Sequence, residues 1–289
     1  MNYRKIQKKI KTIGNVKKIT KAMEMISAIK MKKSQQSALE TAYYTTTLED
    51  MLGRVINSYD LEKQQIIWSA SDNQVKNDLY ILISSSKGLC GSFNFNLFKL
   101  LVGKVNIDNS IFITVGKKGF DFINRLGGKI EADFSNKQPV INSASAIFNI
   151  AAENFITKKS SRIFLVYNKF ISTFVSQPTI SQLLPLISLK ELVDEKSQLV
   201  EQKYDYIIEP LNMKIINEII SDLLVQKVRK SIIDSTAAEF ASRMMAMKNA
   251  NDNANQIIYD MTLVANKLRQ SAITSELLEM TAAKESSEV

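Results

Sequence analysis

Histidine is absent from the 289-residue chain, and cysteine occurs once, at Cys90. Without histidine the commonest general acid–base and metal ligand is missing, which excludes the usual hydrolytic triads and His-ligated zinc chemistry. A single cysteine excludes an internal disulfide and a cysteine-based metal site. Glycine (9) and proline (4) are scarce, which predicts long, uninterrupted secondary structure and not a loop-rich fold. No stretch reaches the roughly 18–20 consecutive apolar residues of a membrane-spanning helix. Charges recur every few residues from Arg4 to Lys33, so the opening has no apolar signal-peptide core. The expectation is a cytosolic chain that meets a membrane only through a partner.

What is present is charge, and its placement matters more than its size. The net charge is +9. Residues 1–33 carry eleven Lys/Arg against one acid, Glu24, so this segment holds +10 and the other 256 residues sum to −1. A run of this kind reads as a solvated helix face, a nucleic-acid patch, or a surface facing acidic protein partners. Tyr3 is its only aromatic residue, which argues against single-strand recognition by stacking. Duplex binding through phosphates stays open.

Both ends of the chain read as long helices. Met1–Met51 has no proline and one glycine, Gly14, while Leu211–Val289 has neither. All four prolines lie between them, and Pro210 suits the first turn of the last helix. Phe240, Met244, Met247, Asn251, Ala254, Ile258, Met261, Ala265, Leu268 and Ala272 alternate four and three apart. Such spacing keeps one narrow seam toward a partner helix. Asn251 is the polar member, of the kind that fixes register at some cost in stability. Ile6, Ile10, Ile13, Val16, Ile19, Met23 and Ile26 supply a matching seam at the other end. Stripes this narrow do not stabilise lone helices, so the two are expected to pair with each other. At about 1.5 Å per residue the last helix reaches on the order of 100 Å, and part of it is expected to project.

The middle alternates apolar runs with helical patterns. Leu79–Ile83, Ile111–Val115 and Ile163–Tyr167 read as strands buried on both faces. Helical patterns follow at Phe93–Val102, Gly119–Leu126 and Ser143–Thr157, a βαβα rhythm that implies a parallel, Rossmann-like sheet. Runs at Phe170–Ser176 and Thr179–Leu184 predict a closing antiparallel hairpin, and the polar stretch 187–203 a short helix or loop. The predicted fold is therefore α/β: a long antiparallel coiled coil of the N- and C-terminal helices plus a Rossmann-like domain. Its predicted parts are 1–58, 75–208 and 210–285.

No catalytic set emerges. Ser84–Ser92, with Gly88 and Gly91, sits between a strand and a helix as a phosphate loop does. It matches neither the Walker spacing nor GxGxxG, so it reads as a tight turn with a Ser or Asn helix cap. Asn249, Asn251, Asn253 and Asn255 flank one carboxylate, Asp252, and lack the glycine and terminal glutamate of a calcium loop. Cys90 reads as a small buried residue. No cofactor and no metal are expected.

Several motifs resemble those of ATP synthase gamma subunits. At the start these are Lys18–Met25 followed by Lys30-Met31; at the end, Ala241–Ala250, Asp252–Ala254, Leu263-Val264, Asn266-Lys267, Arg269-Gln270, Ala272–Thr274 and Glu276-Leu277. Gly88–Gly91, Gln182–Leu186 and Glu209-Pro210 fit the same family. The resemblance spans essentially the whole chain. It implies a non-catalytic central-stalk rotor coupling rotation of a proton-driven c-ring to ATP chemistry in a hexamer of alpha and beta subunits, with epsilon alongside. It implies a peripheral position on the cytoplasmic face of the plasma membrane or its organellar equivalent. Carried over by position, Met23 and Arg243 lie near an acidic beta-subunit loop, Arg269 and Gln270 contact the hexamer, and Tyr206 and Glu209 face the c-ring. The family commonly ends in Gly and Ala, whereas this chain ends in Glu279–Val289 with Lys284, Glu285 and Glu288. That departure motivates a second reading, a rotor in a specialised ATPase not coupled to protons. The third is a basic coiled-coil nucleic-acid binder, though the resemblance implies no nucleic acid.

Overall fold

The computed structural model describes residues 3–58, 67–68, 77–136, 139–186 and 213–287. In chain order these form α1 (Tyr3–Ser58), β1 (Asp78–Ile83), α2 (Phe93–Lys104), β2 (Ser110–Val115), α3 (Lys117–Arg125), β3 (Lys129–Asp133), α4 (Ala144–Ile156), β4 (Arg162–Phe170), β5 (Ser176–Leu184) and α5 (Met213–Ser287). The two compact units are Ile29–Ser242, the α/β unit, and Met1–Ala28 with Arg243–Val289, the helix-pair unit; α1 and α5 contribute to both. The expected α/β class with two long terminal helices is what the chain adopts. Pro210, the 187–203 stretch, Tyr206 and Glu209 lie outside the described residues.

In the α/β unit, the sheet order is β3-β2-β1-β4-β5. The first four strands are parallel and β5 returns antiparallel to β4. Period-two alternation gives each strand two faces. Leu79, Ile81, Ile83, Ile111, Ile113, Ile163 and Leu165 face a core shared with α4, Trp68, Leu52 of α1 and the α5 positions Ile216, Ile220, Leu224 and Val228. Tyr80, Leu82, Phe112 and Val166 face the other, with Leu97 and Leu101 of α2 and Ile123 of α3. Burying each large apolar side chain this fully contributes roughly 1.5–3 kcal/mol. At the start of the central strand pair, Arg162 donates to both oxygens of Asp78, at 2.9 and 2.7 Å.

One strand expectation needs correction, and one strand is not among those expected. Phe170–Ser176 is not a strand but the hairpin tip: β4 ends at Phe170, and residues 171–175 turn through Ile171 N–H to Val175 C=O and Val175 N–H to Ser172 C=O bonds. Its apolar residues Ile171, Phe174 and Val175 are exposed, so the run of hydrophobicity there does not mark burial. Conversely β3, with sequence KIEAD, carries too little apolar character to read as a strand. It exists as an edge, paired on one side only to β2.

Candidate partner-binding surface

A doubly wound sheet binds ligands in the crevice outside the carboxyl ends of its strands, where the strand order reverses. Here that point lies between β1 and β4, and the chain fills it with its own side chains. Cys90, Phe93 and Ala238 of α5 form a buried cluster with Phe170 packed against it. Ser235 of α5 donates to the Ile83 carbonyl that ends β1, at 3.4 Å, and Asn168 of β4 donates to the Phe93 carbonyl at 3.2 Å. The loop after β1 is also self-satisfied. The Asn94 side chain accepts from Ser85 N–H at 3.2 Å and donates to Ser85 Oγ at 2.7 Å and Cys90 Sγ at 3.4 Å. Ser92 makes no side-chain cap on α2, contrary to the expected serine or asparagine cap. Gly91 does take the left-handed turn, with φ of 58°, and so does Leu89, at 61°. A nucleotide approaching this end of the sheet would meet packed side chains, so functional interest moves to the helices.

In the helix-pair unit, α1 and α5 run antiparallel: Thr20 and Glu24 meet Asn251, while Tyr3, Arg4, Gln7 and Lys8 lie at the level of Thr262, Ala265 and Asn266. On α5 the heptad is real. Met247, Asn251, Ala254 and Ala265 are buried, with Met244, Ile258, Met261 and Leu268 half-buried between them. Phe240, its first member, belongs to the α/β unit, where Lys30 Nζ sits 5.3 Å above its ring. Ala272, its last, is exposed, as is every position from Arg269 to Ala283. The described part of α1 starts at the Thr262–Asn266 level and offers nothing opposite these residues.

The seam on α1 differs from the expected one. Ile6, Ile10, Ile13 and Met23 are at least half-buried, but Val16, Ile19 and Ile26 are 50%, 62% and 53% exposed. The positions beside them face α5 instead: Lys17, Thr20 and Glu24 half-buried and Ser27 buried. These follow the same three-and-four spacing, but with polar side chains. Hydrophobicity alone could not reveal them, although Glu24, the only acid in a basic segment, was the visible clue. Asn251, 6% exposed, donates to Glu24 Oε2 at 2.7 Å and accepts from Thr20 Oγ1 at 2.5 Å. Glu24 also accepts from Lys21 Nζ at 3.0 Å. That bond, seconded by Asn251 and the nearby charges of Lys21 and Lys248, holds the Glu24 carboxyl below its ordinary value against the opposing effect of burial.

The outer surface is basic and partly apolar. Arg4, Lys5, Lys8, Lys9, Lys11, Lys18 and Lys21 are exposed on α1 beside Val16, Ile19, Met25 and Ile26. A shallow groove of about 640 Å³ opens between Arg4, Lys8 and Lys11 on one helix and Thr262 and Asn266 on the other. Of the expected contact residues, Met23 is half-buried, Arg269 and Gln270 are exposed, and Arg243 is 6% exposed. No helix among the described residues is long and apolar enough to cross a membrane.

A family model described as ATP synthase matches residues 2–286. The ATP synthase gamma chain of Psychrobacter arcticus is 33% identical over 285 residues, covering 96% of each chain. The chain belongs to the ATP synthase gamma-chain family. Its fold is shared with solved members of that assembly. A chain of the Euglena gracilis mitochondrial ATP synthase, from a structure of OSCP, F1 and c-ring, superposes with a TM-score of 0.67 at 19% identity, over 98% of this chain and 94% of its own. A chain from the Tetrahymena thermophila mitochondrial ATP synthase central stalk and c-ring does so with a TM-score of 0.57 at 25% identity, over 80% and 99%. For a gamma-chain family member, a crevice closed by its own α5 and an outer surface left basic and apolar fit a role in assembly.

Proposed function

We propose that this chain is the central-stalk rotor of an F-type ATP synthase, with catalytic sites on other subunits. The observation that carries the reading is the helix pair. Its seam is satisfied internally, while its cations and several isoleucines face outward, in a gamma-chain family member whose sheet crevice is filled by α5. Partners follow from the related assemblies: an alpha/beta hexamer around the helix pair, epsilon and a c-ring at the α/β unit, and membrane attachment through that ring alone. The chain then divides functionally into 1–58, 75–208 and 210–285.

Exposed ion pairs contribute at most about 1 kcal/mol and are screened by salt. A basic surface can therefore be guided by successive acidic loops without locking to any one. In this reading Arg269 and Gln270, both exposed, contact the hexamer directly, and Met23 and Arg243 lie near an acidic beta-subunit loop. Arg243 is packed in the free chain, so it reaches such a loop only after its side chain turns outward. Tyr206 and Glu209 are assigned to the c-ring on resemblance alone.

The test is co-expression with alpha, beta, epsilon and c subunits of the same source, followed by purification on this chain. Recovery of the whole set, with ATP turnover lowered by Arg269→Ala and Gln270→Ala, is the expected result. Recovery of unrelated proteins only would sink the reading. ATP synthesis from a proton gradient by the recovered complex would eliminate a rotor uncoupled from protons, the alternative suggested by the charged end of the chain.

A further inference from the structure

The helix pair leaves Val16, Ile19 and Ile26 outside while polar neighbours occupy the seam, a choice the apolar residues of that stretch do not explain, although Ile6, Ile10 and Ile13 nearer the start of α1 share the observed phase. A rotation of α1 by one residue position would bury Ile19 and Ile26 in place of Thr20 and Ser27. Burial of Val16, Ile19 and Ile26 favours that rotation, while Ile6, Ile10 and Ile13, which it would turn out of the seam in exchange for Lys5, Lys9 and Thr12, resist it at the other end of the pair. At the level of Ile19 and Ile26 themselves, what opposes it is Asn251. Its amide is nearly inaccessible, and both its ends are bonded to α1, to Glu24 and to Thr20. Turning α1 would strip both bonds and leave a buried amide without partners, the more costly state for a polar group. Sliding α1 along the seam does not rescue it. One heptad in one direction offers Ile13 and Lys17, neither of which has an acceptor for the Asn251 amide N–H, and in the other Ser27 and Met31, of which only the Ser27 hydroxyl is a good partner, so that one end of the amide is left poorly satisfied.

We propose that the Thr20–Asn251–Glu24 layer sets the rotational phase of α1 on α5 and so holds Val16, Ile19 and Ile26 on the outer face of the pair. A single polar layer that dictates how helices align is a known use of a seam asparagine. Here the layer also decides which face of α1 is displayed. The inference deepens the rotor reading, because the displayed face is the one a surrounding partner meets. It is nevertheless a property of the free chain, and it stands or falls without any partner.

The experiment places single cysteines by Ile19→Cys, Ile26→Cys or Lys17→Cys in the full chain and follows maleimide labelling peptide by peptide. Native Cys90, 3% exposed, is the slow internal reference. In the parent, positions 19 and 26 label fast and position 17 slowly. Asn251→Leu removes the polar demand, and the expected result is labelling at least about tenfold slower at 19 and 26 and faster at 17. Asn251→Thr, whose hydroxyl can both donate and accept, restores the parent pattern. Unchanged rates at 19 and 26 in a folded Asn251→Leu chain, or a slowing that Asn251→Thr does not reverse, would overturn the proposal. Should Asn251→Leu fail to fold, Thr20→Ala with Glu24→Ala strips the same bonds from the other helix. Parent-like rates there overturn it equally. Co-assembly is not involved, so a failure here leaves the rotor test untouched.

Discussion

The α/β unit encloses Phe112, Phe148, Ile81 and Leu97 with under 2% of their surface exposed, whereas the helix pair gives its central seam to Thr20, Glu24, Ser27 and Asn251 and turns Ile19 and Ile26 outward. One part is held by shape and apolar burial, the other by a sparse seam whose alignment depends on a few hydrogen bonds. The contrast separates two requirements. A scaffold gains from burying every apolar side chain it has, while a surface made to meet partners must keep some of them available. The same chain meets both by changing what it places at the helix interface, not by changing secondary structure.

If the comparison is right, the largest losses come from the sheet cores. Phe148→Ala, which also removes the tilted contact with Trp68 at 5.7 Å, is expected to cost about 3–5 kcal/mol. Denaturant unfolding would show this as a lower midpoint at unchanged slope, and a loss under about 1 kcal/mol would deny that core its role. Next is Gly116→Ala at the β2–α3 turn. There φ is +94° and an added Cβ would stand 2.2 Å from the Ser84 carbonyl oxygen. The strain is expected to cost more than about 1 kcal/mol, measured in the same way.

Acid titration sharpens the contrast, because the two units hold carboxylates of opposite tendency. Glu24 in the helix pair is held below its ordinary value, first by the Lys21 hydrogen bond. Its contribution is therefore present above the ordinary glutamate value of about 4.3 and is lost as pH falls through the lowered folded value. Asp234 in the α/β unit is pushed up by burial, with Lys230 and Lys169 pulling back. Charging it costs stability as pH rises from the ordinary aspartate value of about 3.9 through the raised folded one. Thermal melts should show Glu24→Gln destabilising at neutral pH, by under about 1 kcal/mol after screening, and Asp234→Asn stabilising there. Both differences should shrink in acid, and equal signs at neutral pH would break the comparison. The smallest effect belongs to Ile19→Ser, expected within about 0.5 kcal/mol of the parent. A loss above about 1 kcal/mol in the isolated chain would place Ile19 in the seam after all.

Much of this was legible before the fold was known. The long terminal helices, strands β1, β2 and β4, and helices α2 to α4 follow from apolar runs and periodicity. Edge strand β3 was not, because KIEAD has one exposed face and alternates like a surface segment. Nor was the hairpin tip: Ile171, Phe174 and Val175 look like strand residues and sit in a turn. For the candidate site the α5 heptad was readable from Met244 to Leu268. The α1 seam was read one position off at Val16, Ile19 and Ile26.

By itself the sequence determined a basic opening helix, a glycine- and proline-free closing helix with one narrow seam, and a parallel sheet between them, since periodicity and backbone preference are local properties. Only the tertiary structure decided that Ala238 and Cys90 close the crevice at the end of β1, and which face of α1 meets α5. That phase rests on bonds between Thr20 and Asn251, 231 residues apart, and between Glu24 and Asn251, 227 apart. A hydrophobic count along α1 contains only part of it, at Ile6, Ile10 and Ile13, because from Lys17 to Ser27 the partner that matters is a polar side chain on the other helix.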